Sequence, residues 1–325
     1  MIVDIFFLLL GLALILVGAN LLTDGASSLA SRWGMSELMV GLTIVAVGTS
    51  APELVISVFS AIEGNAGIAI GNVVGSNMFN VLVIIGLTAM VAPIRVTDSI
   101  MTKDVPLVVL SSAVLVVMGL SPELDNTSAR VLERSYGIIL LFFFLIFLRH
   151  TFSSAKAELP APEKSEEENA TVKKMPLWKA VIWVLGGFAG LIYGGDRFVT
   201  GASGIASGLG VSDAVVGLTI VAIGTSLPEL ATSITAAIKG KPGIALGNVI
   251  GSNIFNVFMV LGCAATIRPL PFGDVSIVDL VCMFAACVLF WVFGWFFRKR
   301  TITRVEGGIL TACYLGYMIY LLTSL

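Results

Sequence analysis

Two glutamates set the problem: Glu53 and Glu229 each lie deep inside a long apolar stretch of the chain. A carboxylate placed at the centre of a bilayer costs about 2.5–3.5 kcal/mol on insertion scales, and such residues default to functional sites. Each belongs to the same hexapeptide, GTSAPE at Gly48–Glu53 and GTSLPE at Gly224–Glu229. Pro52 and Pro228 have no N–H, so in a helix the carbonyls of Gly48 and Gly224 lose their donors. The carbonyls of Thr49 and Thr225 are loosened with them. Thr49 and Ser50 precede Glu53 by four and three residues and share its helix face, as Thr225 and Ser226 do for Glu229. Freed carbonyls at membrane depth need a cavity or a partner. A cation stripped of water is such a partner. A hinge accounts for the glycine and proline but not for the polar residues beside them.

The following stretch of each half carries Asn72, Ser76, Asn77 and Asn80, repeated as Asn248, Ser252, Asn253 and Asn256. Spacings of four place three of each set on one helix face. We read Asn72 and Asn248 mainly as hydrogen-bonded glue between helices, and the others as lining. Gly67, Gly71 and Gly75, with Gly243, Gly247 and Gly251, form small-residue rows suited to close helix approach. Calcium takes six to eight oxygens at about 2.3–2.6 Å, whereas magnesium keeps several waters. Two carboxylates and two threonine carbonyls meet much of the calcium requirement and match its charge. Serine hydroxyls and asparagine carbonyls beside them suit sodium. Oxygen counting alone leaves the cation open.

These residues need elements to hold them in a membrane, and the chain supplies them. It has 325 residues, 57% hydrophobic and 12% charged, against about 25% charged in soluble domains. Apolar runs of membrane length predict ten spans, at 3–22, 38–62, 67–91, 104–120, 134–149, 177–199, 213–238, 243–267, 276–297 and 305–323. The first has no basic leader and contains Asp4, which marks a span rather than a cleaved signal. Gly41–Gly86 aligns without a gap on Gly217–Gly262, with 29 of 46 pairs identical. Five spans per half is an odd number, so the halves enter the membrane with opposite polarity, an architecture of secondary transporters.

The expected fold is therefore an all-α integral membrane protein of ten transmembrane helices in two inverted repeats of five. Residues 1–150 form the first repeat, 151–176 a charged cytoplasmic linker, and 177–325 the second repeat. Fifteen of the 19 basic residues fall on the linker side, which places both termini outside by the positive-inside rule. A net charge of −2 with scattered basic residues offers nothing to nucleic acid. The four cysteines sit in apolar runs without metal-site spacing.

GTSxPE followed by GNVxGSNxFN, twice, resembles the two α-repeats of prokaryotic-type sodium/calcium exchangers of the calcium/cation antiporter superfamily. The resemblance covers essentially the whole chain outside the linker. It implies that Glu53, Glu229, Thr49 and Thr225 form a calcium site. Ser50, Ser76, Ala222, Ser226 and Ser252 would border sodium sites, Ala222 through its backbone carbonyl. Asn80 and Asn256 would close the cavity, whose lining the residue pattern above extends to Asn77 and Asn253. Some members, including potassium-dependent ones, carry aspartate where this chain has Asn256, which argues against potassium coupling.

The expectation is a secondary active antiporter of the plasma (inner) membrane that exchanges sodium for calcium by alternating access. A proton/calcium antiporter is the alternative, with a passive cation channel behind it. Nothing in the sequence offers a nucleophile with its base or a histidine cluster, so the reading is not an enzyme. No cofactor is expected. The partners are Na⁺, Ca²⁺ and the lipid bilayer.

Overall fold

A computed structural model describes residues 1–125, 129–157, 175–209, 222–273, 275–296 and 300–324. Its helices are α1 (Ile2–Trp33), α2 (Glu37–Thr49), α3 (Ala51–Glu63), α4 (Ala66–Val91), α5 (Ile100–Gly119) and α6 (Arg134–Ala157). They continue with α7 (Leu177–Gly208), α8 (Leu227–Ile238), α9 (Pro242–Ile267), α10 (Ile277–Phe296) and α11 (Arg304–Ser324). Among the described residues seven helices are long and apolar enough to cross a membrane, and α2 with α3 makes an eighth if the bent pair is one span. The chain is a multi-pass helical membrane protein. The other expected spans correspond to α8, only 12 residues long, and to α11. Residues 213–221 of the expected seventh span, and most of the expected linker, lie outside the described residues.

Local chemistry sets the breaks and the starts. α2 gives way to α3 at Ser50 with a 46° bend, and Pro52 stands in the first turn of α3, where its missing N–H is harmless. α4 and α9 end at matching places: Ala92 and Arg268 have extended backbones (φ −140° and −147°) before Pro93 and Pro269, as a following proline demands. α10 and α11 begin with capping boxes. Ser276 and Asp279 exchange backbone N–H bonds (3.2 and 2.8 Å), and Glu306 accepts from the Thr303 N–H at 2.9 Å. Those two buried acids are thereby accounted for as structural.

The chain forms two compact units, and neither is one continuous stretch. The first comprises Met1–Thr49 and Leu148–Asn248. The second comprises Ser50–Phe147 and Val249–Leu325.

In the first unit, α1 and α7 pack antiparallel along a glycine seam. Gly11, Gly18 and Gly25 recur every seven residues on α1, as Gly187, Gly194 and Gly201 do on α7, a period that keeps one face toward the partner. A Cβ on Gly11 would lie 2.3 Å from the Phe198 nitrogen, and one on Gly201 would lie 2.5 Å from the Leu8 nitrogen. Ile15, Leu22, Leu29 and Leu191 fill the spaces between, with Val40 and Val45 of α2 and Ala236 of α8 in the same core. Two glycines of the second small-residue row make close approaches: Cβ atoms on Gly243 and Gly247 would come within 3.1 Å of Glu37 Cβ and 2.4 Å of the Leu38 oxygen. A Cβ on Gly67 or Gly75 meets no described atom within 4 Å, so the first row makes no comparable approach among the described residues.

The second unit contains contacts that swap between sequence halves. Gly86 lies against Gly307 and Thr311, while Gly262 lies against Gly137 and Leu141. Two short antiparallel ladders, unanticipated in an all-helical reading, repeat the exchange. β1 (Ile94–Arg95) pairs with β4 (Thr301–Ile302), and β3 (Leu270–Pro271) pairs with β2 (Val131–Leu132). The extended backbone forced before Pro93 and Pro269 leads the chain into both.

Candidate cation-binding site

Each glutamate stands in the first turn of the helix that follows a proline-marked break. Glu53 opens α3 after Ser50, and Glu229 opens α8 after Ser226, whose φ of −92° and ψ of 4° nearly match the −86° and 9° of Ser50. The breaks also need their glycines. A Cβ on Gly48 would fall 2.0 Å from the Phe188 ring, and one on Gly224 would fall 2.0 Å from Val199 Cγ2.

In the first unit, Glu229 is 0% exposed, and Ser226, Ser233 and Thr49 are equally buried. Thr225 is half-buried. Ala222 opens the described turn before the break, and its side chain lies outside the described residues. Asn248 organises this set. Its Nδ2 donates to the Glu229 carbonyl at 3.3 Å and to Ser233 Oγ at 3.1 Å. Its Oδ1 accepts from Thr49 Oγ1 at 3.0 Å.

The second unit holds Glu53 at 1% exposure, with Ser50 and Ser57 fully buried. Ser76 Oγ donates to Glu53 Oε1 at 3.4 Å. Asn72 repeats the role of Asn248: its Nδ2 donates to the Glu53 carbonyl at 3.4 Å and to Ser57 Oγ at 3.0 Å. Beyond it, four buried asparagines bond reciprocally. Asn80 Nδ2 reaches Asn253 Oδ1 at 3.0 Å, and Asn256 Nδ2 reaches Asn77 Oδ1 at 3.2 Å. Asn77 Nδ2 also donates to the Asn253 carbonyl at 3.2 Å. Both Asn80 and Asn256 lie in short π-helical segments, Phe79–Ile84 and Asn256–Leu261. Such segments are rare and frequent at functional sites.

The donor set suits a cation. Asn80 Oδ1, Asn256 Oδ1 and Ser252 Oγ are buried with no hydrogen-bond partner among the described residues. A buried oxygen left without a donor is costly, and a metal cation can take the place of the missing donor. The side chains around the carboxylates are hydroxyls and amides, oxygen ligands of the hard type that calcium and sodium accept.

Ser57 and Ser233 were not singled out from the sequence. Their signal is there: each follows its glutamate by four residues, and the two are repeat-equivalent. The bond from Thr49 to Asn248 joins residues 199 positions apart and has no local signal.

The chain is 38% identical to the putative antiporter CaxA of Alkalimonas amylolytica, over 100% of both chains. It is 31% identical to the sodium/calcium exchanger MaX1 of Methanosarcina acetivorans, over 98% of each. A solved structure of the sodium-calcium exchanger NCX_Mj superposes with a TM-score of 0.83 at 30% identity, covering 98% of both chains. The sequence pattern described as sodium/calcium exchanger protein matches residues 3–152 and 179–323. Since that pattern spans nearly all of its length, the chain belongs to the sodium/calcium exchanger family.

Proposed function

We propose that the chain is a secondary active antiporter that exchanges sodium for calcium across the plasma (inner) membrane by alternating access. One observation carries this reading: two repeat-equivalent glutamates, exposed by only 1% and 0%, each open a helix after a proline-marked break. Buried carboxylates at equivalent positions are costly unless they serve a charge. Glu53 and Glu229, with the carbonyls of Thr49 and Thr225, then ligate calcium. Ser50, Ser76, Ala222, Ser226 and Ser252 border sodium, while Asn77, Asn80, Asn253 and Asn256 line the path. The ions are cargo, and the chain is a transporter rather than an enzyme.

The architecture that goes with this reading is ten spans in two inverted repeats, 1–150 and 177–325, joined by a cytoplasmic linker at 151–176, with both termini outside. Two observations support it: the 29 identical pairs of the internal repeat, and the reciprocal contacts Gly86–Gly307 and Gly262–Gly137. Sodium and calcium compete for the same carboxylates, and each drives the conformational exchange only through unequal affinity for its two states.

The test is ⁴⁵Ca²⁺ uptake into proteoliposomes of purified protein. Vesicles loaded with sodium and diluted into sodium-free medium should accumulate calcium, and collapse of the sodium gradient should stop it. Uptake that ignores sodium and follows an imposed pH gradient would replace sodium with protons as the coupling ion. Flux that needs no ion on the opposite side would make the protein a channel.

A further inference from the structure

Asn248 and Asn72 make bonds more selective than glue between helices requires. An asparagine side chain has two donor hydrogens on Nδ2 and one acceptor oxygen. In Asn248 both donors are spent within a single turn of α8, one on the Glu229 carbonyl and the other on Ser233 Oγ. The Glu229 oxygen can only accept, which fixes the amide orientation and leaves Oδ1 facing the hydroxyl of Thr49. Asn72 brackets the turn Glu53–Ser57 of α3 in the same way. The turn that is held is, in both cases, the one that carries the glutamate.

We infer that Asn248 and Asn72 are positioning residues that pin the glutamate-bearing turns, and that Asn248 also ties Glu229 to Thr49. This inference rests on the proposed calcium site. Neither asparagine needs to touch the ion. With its N–H groups occupied, each fixes the backbone from which a carboxylate reaches out, so little conformational freedom remains to be lost when a cation arrives. The link through Asn248 adds a coupling, because Thr49 closes α2 and Glu229 opens α8, and a shift of one is felt by the other. The Thr49 hydroxyl has one proton and also lies 3.1 Å from the Val45 carbonyl, so it can donate to either. Loss of Asn248 leaves Thr49 with an acceptor and the Glu229 carbonyl with its ordinary helix donor four residues on. The two binding elements lose their connection while the helices keep their own bonds. The two clamps are unequal. Asn248 is 0% exposed, whereas Asn72 is half-buried and reaches the Glu53 carbonyl only at 3.4 Å, so Asn248 carries the larger effect.

The test uses the full chain with Asn248→Ala, Asn72→Ala, Ser233→Ala and Ser233→Thr. Three quantities are read: the calcium KM of sodium-driven uptake, thermal stability, and hydrogen exchange across the turn 229–233. Residues that orient metal ligands typically cost about 10–100-fold in affinity when removed. Asn248→Ala should therefore raise the calcium KM at least about tenfold, with a smaller rise for Asn72→Ala and a small change in the maximal rate per folded protein. Exchange at 229–233 should quicken. Ser233→Ala should raise KM less, and Ser233→Thr, which keeps the hydroxyl, should restore it. A calcium KM unchanged in Asn248→Ala and Ser233→Ala, whatever their thermal stability, overturns the inference and leaves only packing. If Asn248→Ala does not fold, the Ser233 pair decides alone. If the wild-type protein neither binds nor carries calcium, the function proposed above fails instead, and the exchange measurement still tests the clamp.

Discussion

Replacement of Glu53 or Glu229 by glutamine should lower sodium-driven calcium uptake at least about a hundredfold, while the protein still inserts and purifies as a folded species. Glutamine keeps the size and one oxygen of the side chain but removes its charge. One negative charge about 2.5 Å from a doubly charged ion is worth on the order of 10 kcal/mol at an effective dielectric near 20. A hundredfold loss corresponds to about 2.7 kcal/mol, so most of that attraction can be offset by easier desolvation and the defect persists. Buried acids elsewhere supply the control. Glu306 is 4% exposed and bonds the Thr303 N–H as a helix cap, so Glu306→Gln should cost thermal stability and leave the calcium KM in place. Proteoliposome uptake, with gel filtration as the folding check, separates the two cases. Uptake at the wild-type rate by Glu53→Gln or Glu229→Gln removes the carboxylates from the site.

The same charge argument sets the sign of the pH response. Calcium must find both carboxylates ionised, and each proton bound there cancels one of the charges that replaces its water shell. At a fixed sodium gradient, initial uptake should therefore fall as the medium is acidified, with a rise in calcium KM. Uptake that increases on acidification of the calcium-free side, with sodium absent, points to proton coupling.

Much of the candidate site was legible because the chain states it twice. A carboxylate in an apolar run is ambiguous once, but GTSxPE and GNVxGSNxFN at a constant offset of 176 turn coincidence into pattern. Pro52 and Pro228 mark both breaks in the sequence itself, each standing in the first turn of the helix that follows. Helix lengths were less legible. Hydropathy reports which residues suit lipid, and α1 runs to Trp33 where apolarity suggested an end at 22. The extra turns carry Thr23, Ser27 and Ser28, all buried at 0–4% exposure, so these polar side chains face protein rather than water. α7 likewise outruns its apolar stretch, continuing past 199 to Gly208. Contacts between distant segments were not legible at all. Nothing near Thr49 announces Asn248, and the short ladders at Ile94–Arg95 and Leu270–Pro271 arise from how chain ends meet after each proline.

The glycine seam of α1 and α7 carries the other large prediction, and it concerns folding rather than ligation. In lipid no hydrophobic force drives helices together, so close packing must supply the association. Here it does so backbone against backbone. A Cβ on Gly11 would stand 2.3 Å from the Phe198 nitrogen and 2.6 Å from the Gly194 oxygen, and one on Gly18 would stand 2.8 Å from the Leu191 nitrogen. Neither neighbour is a side chain that can rotate away, so the helices must separate, and separation weakens the seam along its length. Overpacking typically costs 1–3 kcal/mol per site. Gly11→Val or Gly18→Leu should lie at the upper end of that range or beyond, lowering the melting temperature in detergent by about 5 °C or more. Gly186, one residue before Gly187 on the same helix, has nothing within 4 Å of where a Cβ would point. Gly186→Ala should then be neutral or stabilising, by up to about 1 kcal/mol from its helix preference alone. Thermal unfolding followed by gel filtration compares the three on one scale. A Gly11→Val protein as stable as Gly186→Ala means that the two helices are not held by this contact, and the small residues at seven-residue intervals would need another explanation.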